Sequence, residues 1–290
     1  MARAPRSLTR KVIFITGGAR GIGRATAVAL VAEGARVVIA DLDGELAAKA
    51  AAEVGAERAI AVDVTDHAAF TAALDEAERE VGPLDVLINN AGVMPIGRFA
   101  DDTDLTAYRA FEINVFAVMH GTREAIRRMT QRGHGHIVNI ASMAGVVPIP
   151  GGAIYAASKH AVVGFCESLW WELRGSGIDL SYILPALVNT ELAAGMKRTR
   201  ASKVIEPEQV AAAVVDTLKS PQLSVFAPRS MGPITKMSSL LPRAVGNKIM
   251  TASGSDHIVL DSLGTSGRTA YQSRVDESAP AADALRRAGE

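Results

Sequence analysis

The stretch Tyr155-Ala156-Ala157-Ser158-Lys159 sets a phenol and an ammonium four residues apart, which on a helix makes them neighbours on one face. Tyrosine normally titrates near ~10, so proton transfer at neutral pH needs a shift of about three units, roughly 4 kcal/mol. A lysine ammonium at about 4 Å, in an effective dielectric near 20, supplies an interaction of about that size. Taken alone the pair also suits a solvated helix face, but Ser142 stands close before it, just after the strand-like run 136–140. Its hydroxyl could hydrogen-bond a substrate carbonyl or the alkoxide that develops from it. The neighbours Ile140, Ala141, Met143 and Ala144 lack the flanking glycines of a nucleophile elbow, which argues against serine-hydrolase chemistry.

A second group could hold a phosphate. Thr16-Gly17-Gly18-Ala19-Arg20-Gly21-Ile22-Gly23 joins a strand-like run to a helix-like one. Glycines there let backbone approach a pyrophosphate, and the helix start offers unpaired N–H groups and a positive dipole end. The spacing is Gly-x-x-x-Gly-x-Gly rather than the Gly-x-Gly-x-x-Gly of the common dinucleotide fingerprint. Asp41 ends the next strand-like run, near the ~20-residue distance expected of a ribose-binding acid. A carboxylate there can accept from the adenosine ribose hydroxyls and would repel a 2′-phosphate. Turn glycines and an exposed turn aspartate are the plain alternatives.

With these residues in place the chain resembles the short-chain dehydrogenase/reductase family, in its compact single-domain branch. The landmarks are the 16–23 loop, Asp63-Val64, Asn89-Asn90-Ala91-Gly92, Asn114, Ser142, Tyr155 and Lys159, in order over roughly residues 12–190. The resemblance implies hydride transfer between NAD(H) and an alcohol or ketone. Tyr155 would be the general acid/base and Ser142 would position the reacting oxygen. Lys159 would lower the tyrosine pKa and hold the nicotinamide ribose, and Asn114 would hold a water linking Lys159 to solvent. Gly17, Arg20, Gly21, Ile22, Gly23 and Asp41 would bind the cofactor's phosphates and ribose. Asp63 and Val64 would contact the adenine, and Asn90, Ala91 and Gly92 would line the cleft. Val188 and Thr190 would sit near the carboxamide, although Ala186 stands where the family usually has glycine. Arg20 favours NADP and Asp41, followed by neutral Leu42, favours NAD; repulsion at contact puts NAD first. A homodimer or homotetramer is implied through the Tyr155 helix and the one before it. The rival readings are a non-catalytic NAD-sensing or scaffold protein on the same fold, and a lyase or epimerase that keeps its nicotinamide bound.

The elements that must position these residues are legible as alternation. Strand-like runs at 12–15, 36–40, 58–62, 86–88, 136–140, 178–184 and 223–226 are separated by helix-like stretches at 22–32, 45–54, 68–81, 105–132, 153–174 and 206–219. Continuous apolar strands alternating with helices predict a doubly wound α/β fold of about seven parallel strands, Rossmann-type, with helices on both faces. Residues 1–228 are expected to form the catalytic domain and 229–290 an irregular extension, with about the last 25 residues disordered. Within it Met237-Ser238-Ser239-Leu240-Leu241-Pro242 is apolar enough to cover a pocket mouth. The segments expected beside the substrate, 93–99, 143–154 and 191–202, are apolar in their first two parts, which favours a hydrophobic alcohol or ketone over a sugar.

Composition excludes several other classes. The 290 residues are 48% hydrophobic with formal net charge zero, so no global pull toward nucleic acid or anionic lipid exists. The basic run Lys197-Arg198-Thr199-Arg200 reads as a solvated face. His134, His136 and Asp63 share no metal-ligand spacing, and no metal is expected. Cys166 is the only cysteine, so no internal disulfide can form. The apolar run after the basic N-terminus is too short for a signal core, and no stretch reaches the ~18 apolar residues of a membrane span. A cytoplasmic location without stable membrane insertion is the expectation.

Overall fold

Runs rich in Val and Ile become strands because β-branched side chains pack well on a pleated, buried surface. The computed structural model describes residues 4–196, 204–239, 241–253, 257, 259–269 and 271. Its strands are β1 (Val12–Thr16), β2 (Arg36–Asp41), β3 (Arg58–Ala61), β4 (Val86–Asn89), β5 (Gly135–Ile140), β6 (Ile178–Pro185) and β7 (Ser224–Ala227). They form a seven-stranded sheet ordered β3-β2-β1-β4-β5-β6-β7, with every pairing parallel. This is the doubly wound Rossmann-type arrangement. The order reverses between β1 and β4, where Ile15 pairs with Ile88, so a crevice opens at their carboxyl ends.

Side chains alternate across the sheet and give it two apolar faces. Ile13, Ile15, Ile39 and Val138 pack on one side against α1 (Gly21–Ala32), α2 (Gly44–Val54) and α7 (Pro207–Lys219), through Ala27, Leu30, Ala47 and Val214. Phe14, Val38, Leu87 and Ile137 pack on the other, against α3 (His67–Glu80), α5 (Ala117–Thr130) and α6 (Ala153–Glu172), through Phe70, Ala125, Val162 and Cys166. Each fully buried Ile, Leu or Phe contributes about 1.5–3 kcal/mol. Cys166 belongs to this core: its sulfur accepts from Asn139 Nδ2 at 3.2 Å, and burial pushes the thiol pKa up to about 12.

Two sequence expectations need correction. The helix expected over 105–132 is α4 (Asp104–Phe111), a five-residue π-helical segment (Glu112–Phe116), and then α5. The segment widens the helix locally at Asn114, a device common beside functional sites. The extension expected to be irregular holds two helices, α8 (Met231–Ser239) and α9 (Arg243–Ser253). Met237 is 66% exposed and Leu241 39% exposed, so the apolar stretch singled out as a pocket cover faces solvent where it is described; Leu240 lies outside the described residues. Most of the stretch expected to be disordered also lies outside them, as does the basic run 197–200. Among the described residues, no helix is long and apolar enough to cross a membrane.

His136 on β5 gives the fold a pH dependence. It is buried against Ser181, Nε2 to Oγ 2.9 Å, and burial lowers its pKa from 6.5 to about 4. Its neutral form is therefore the folded one. Below pH ~6.5 the unfolded chain takes up a proton that the folded chain refuses, so stability falls as the pH drops toward 4 and levels off below it. Between pH 6.5 and 5 this amounts to about 2 kcal/mol. Urea unfolding at pH 7 and pH 5 should show a smaller pH dependence for His136→Gln than for the parent. It should not vanish, because burial and His67 hold His120 low as well. Identical pH dependence in the two proteins would refute the assignment.

Candidate functional site

The glycine-rich turn after β1 folds as it does because side chains would not fit. Gly17 and Gly21 have φ of +61° and +53°, a region that non-glycine residues rarely adopt. A Cβ at Gly23 would lie 2.1 Å from the Gly17 carbonyl oxygen and 2.6 Å from Asn90 Nδ2. The turn is fastened to the loop after β4. Thr16 Oγ1 accepts from the Asn90 and Ala91 N–H groups, both at 3.0 Å, and Asn90 Nδ2 donates to the Thr16 and Gly17 carbonyls, both at 2.9 Å. No side chain caps the start of α1, which leaves its first N–H groups for an anion.

Asp41, at the end of β2, is held against this turn: Oδ2 accepts from Ala19 N at 3.0 Å and Oδ1 from Asp43 N at 3.3 Å. Arg20 reaches past it, donating to Asp43 Oδ2 and to Glu191 Oε2, each at 3.2 Å. These pairs are partly exposed, so each is worth at most about 1 kcal/mol, but they fix where the guanidinium points. Asp63 Oδ1 accepts from Thr65 N at 2.9 Å and Thr65 Oγ1 at 2.7 Å. After β6, Val188 bridges to Ile205, and Thr190 comes beside the turn, its Cγ2 3.3 Å from where a Cβ on Gly21 would lie.

The second group gathers beyond β5. Ser142 begins a short 3-10 turn, its Oγ accepting from Ala144 N at 3.1 Å. Tyr155 and Lys159 lie one turn apart on α6, 7% and 5% exposed. Lys159 Nζ donates to the Ile140 carbonyl at 2.9 Å and stands 5.9 Å from the Tyr155 ring centroid. Asn114 is fully buried and clamps the loop after β4 to α6: Oδ1 accepts from Val93 N at 2.9 Å, while Nδ2 donates to Val93 O at 2.9 Å and Ser158 Oγ at 3.0 Å.

The electrostatics depart from expectation. The sequence predicts a tyrosine lowered by its lysine, yet burial pushes Tyr155 up to about 12; the Ser142 hydroxyl pulls it down and Tyr271 pushes it up. Burial likewise lowers Lys159 to about 8. The physical reason is that both groups are desolvated, and the ammonium is aimed at a backbone carbonyl rather than at the phenol oxygen.

A cavity of about 970 Å³ joins the two groups. Gly17, Arg20, Gly21, Ile22, Asp41, Asp63, Val64, Asn90, Ala91, Gly92, Ser142, Tyr155, Lys159, Val188 and Thr190 line it, whereas Gly23 and Asn114 stand behind its wall. Sequence reasoning missed Arg109, Glu112, Val259 and Tyr271, which also line it. Arg109 and Glu112 sit three residues apart where α4 meets the π segment. The last two come from the extension and carry no local motif. No group of three His, Cys, Asp or Glu side chains among the described residues is placed to hold a metal ion.

This arrangement has counterparts in known proteins. Residues 11–201 match the family model described as short chain dehydrogenase. A 2-dehydro-3-deoxy-L-rhamnonate dehydrogenase (NAD(+)) of Sphingomonas sp. (strain SKA58) is 38% identical over 177 residues, 60% of this chain and 70% of that protein. A 3-alpha-(or 20-beta)-hydroxysteroid dehydrogenase of Mycobacterium bovis is 38% identical over 213 residues, 72% of this chain and 82% of that protein. Among solved structures, a short chain dehydrogenase/reductase from Burkholderia phymatum in complex with NAD superposes with a TM-score of 0.74 at 28% identity, covering 81% of this chain and 94% of that one. With a match to the family model over the glycine turn, strands β1 to β6 and the Tyr155–Lys159 region, the chain belongs to the short-chain dehydrogenase family of oxidoreductases.

Proposed function

We propose that the protein is an NAD-dependent alcohol dehydrogenase or ketone reductase for a hydrophobic substrate, with Tyr155 as its general acid/base. The observation that carries this reading is the convergence of Ser142, Tyr155 and Lys159 on the cavity that the glycine turn and Asp41 also line. The turn fits a dinucleotide, because its side-chain-free backbone and the uncapped start of α1 form a cradle that a Cβ at Gly23 would fill. A nicotinamide bound there supplies or accepts the hydride.

Tyr155 gives its proton to the ketone oxygen in reduction and takes it back in oxidation. Its high pKa keeps the phenol protonated at neutral pH, which suits the reductive direction. Ser142 donates to the same substrate oxygen and orients it. Lys159, one helical turn from Tyr155 and on the same cavity wall, would hold the nicotinamide ribose. Asn114 anchors a proton relay to Lys159; support comes from Gly92, where a Cβ would stand 3.0 Å from Asn114 Oδ1 and 3.6 Å from Lys159 Nζ. Val188 and Thr190 hold the carboxamide end, and Asp63 and Val64 the adenine.

Asp41 and Arg20 set the cofactor preference. A 2′-phosphate would meet the Asp41 carboxylate, and the arginine that could welcome it is already engaged by Asp43 and Glu191. On the substrate side, Met94, Ile96, Val147, Ile149, Leu192 and Met196 favour an apolar ketone over a sugar-like substrate. Self-association of this cytoplasmic enzyme as a dimer or tetramer is supported by α6, whose outer face exposes Ala153, Ala157 and Gly164, with Trp171 near its end.

Tyr155→Phe should lower kcat by about 10²–10⁴-fold while NADH affinity, read by fluorescence titration, stays unchanged. Near-normal turnover in that variant would remove Tyr155 from its role. Steady-state kinetics with both cofactors should favour NAD by about 100-fold, equivalent to about 2.7 kcal/mol. Asp41→Ser should bring the two cofactors closer together; a parent enzyme that prefers NADP would reverse the ranking of Asp41 over Arg20.

A further inference from the structure

Beyond α9 the chain returns to the cavity mouth. Residues 259–269 and 271 meet all three loops that border the substrate end. At the loop after β4, the Tyr271 hydroxyl oxygen accepts the Met94 N–H at 3.0 Å, and Arg268 donates to the Met94 carbonyl. At the loop after β6, Arg268 donates a second bond to the Leu192 carbonyl at 2.9 Å. In the same loop a Cβ on Gly195, whose φ is +81°, would lie 2.1 Å from Thr265 Oγ1. Just before α6, a Cβ on Gly151 would lie 2.9 Å from Leu260 Cδ2 and 3.1 Å from Val259 Cγ1. Two of the three loops thus approach the segment at glycines.

Arg268 is the pin of this arrangement. It is 4% exposed, and its guanidinium carbon sits 4.5 Å from the Tyr271 ring centroid. Its partners among the described residues are two backbone carbonyls on different loops and that ring, with no carboxylate. A planar fork can satisfy two carbonyls at fixed directions while stacking on an aromatic face; a lysine ammonium offers one point charge instead. A buried cation held in this way loses solvation that only this geometry replaces, so the segment has one seat.

What the pin seats is a piece of pocket wall. Val259 and Tyr271 are both buried and both line the cavity. Tyr271 also lies near enough to Tyr155 to act on it electrostatically. We propose that residues 259–269 and 271 form the closing wall of the substrate pocket, with Tyr271 and Val259 as specificity-determining residues against a bound apolar ketone and Arg268 as the residue that positions them. The proposal rests on the oxidoreductase reading of the cavity. It places substrate selection in a segment outside residues 11–201, the stretch that matches the family, and it makes the pocket one for compact rather than bulky ketones.

Full-length variants test it, with cyclohexanone and a fused tetracyclic ketone as substrates and NADH as reductant. Tyr271→Ala should shift the kcat/KM ratio toward the tetracyclic ketone by about 10-fold or more, the size of effect that pocket contacts have on discrimination. Tyr271→Phe keeps the ring and should keep the ratio. Arg268→Met should raise KM for both ketones about 10-fold, with kcat and NADH affinity nearly unchanged, and Arg268→Lys should not rescue it. An unchanged ratio in Tyr271→Ala, or an Arg268→Met protein that loses melting temperature and kcat but not KM, would overturn the proposal. A separate arm does not depend on turnover: binding of the apolar dye 8-anilinonaphthalene-1-sulfonate should rise severalfold in Tyr271→Ala and Arg268→Met. If the parent reduces no ketone, the oxidoreductase reading fails, and dye binding still decides on the wall, since equal dye binding in all three proteins would refute it.

Discussion

Where β1 and β4 leave the sheet side by side, two loops must turn away from each other and still stay close enough to share one ligand. The four hydrogen bonds between Thr16, Gly17, Asn90 and Ala91 hold them there. They work only because Gly23 lets the first turn of α1 press against the Gly17 carbonyl and the Asn90 amide. Everything around the cavity is built outward from that junction. Asp41 is hung on its Ala19 N–H, and Thr190 approaches it from β6. A side chain at position 23 would separate the loops and with them the two halves of the site.

The other half depends on burial. Fixing a phenol and an ammonium together in a nearly water-free place makes both of them resist charge, which is why Tyr155 lies high and Lys159 low. Desolvation of this kind is a standing cost that a purely structural pair would avoid by moving to the surface, and such shifts cluster at functional sites. The chain accepts it at α6 while stiffening the surroundings. Asn114 ties the loop after β4 to Ser158, and Ser158 in turn donates to the Tyr155 carbonyl at 2.7 Å. The π segment that carries Asn114 is part of the same bracing, since a regular helix would turn that amide to another angle.

Much of this is legible in residue order. Apolar runs as short as Val86–Asn89 are unambiguous when helices flank them, and the glycines after β1 become informative through their place between a strand and a helix and the distance to Asp41. Three features are not legible, each for a physical reason. The π segment has the same hydrophobic period as the helices around it, so Glu112–Phe116 reads as more helix. α8 and α9 lie in a stretch broken by Pro233, Pro242 and Gly246, where local signals favour irregular chain; α8 forms against β7 nonetheless. The direction of the Tyr155 shift depends on water exclusion, which spacing between Tyr155 and Lys159 does not report. The same limit hides Tyr271 and Arg268, whose meaning lies in partners more than 170 residues away in sequence.

The charges at the mouth show how the two halves are made one unit. Arg20 looks, in sequence, like a residue that competes with Asp41 over the cofactor's phosphate. In the fold its guanidinium spans Asp43, just after β2, and Glu191, just after β6. It therefore links the Asp41 end of the cavity to the loop whose Leu192 carbonyl also receives Arg268. Two arginines thus hold the loop after β6, one in partial solvent through the Glu191 carboxylate and one buried through the Leu192 carbonyl. The exposed pairs are the weaker, since solvent screens them, whereas releasing Arg268 would leave a buried cation without partners. Any motion that opens the cavity should therefore begin at Arg20, beside the glycine turn, and leave the wall that carries Val259 and Tyr271 in place.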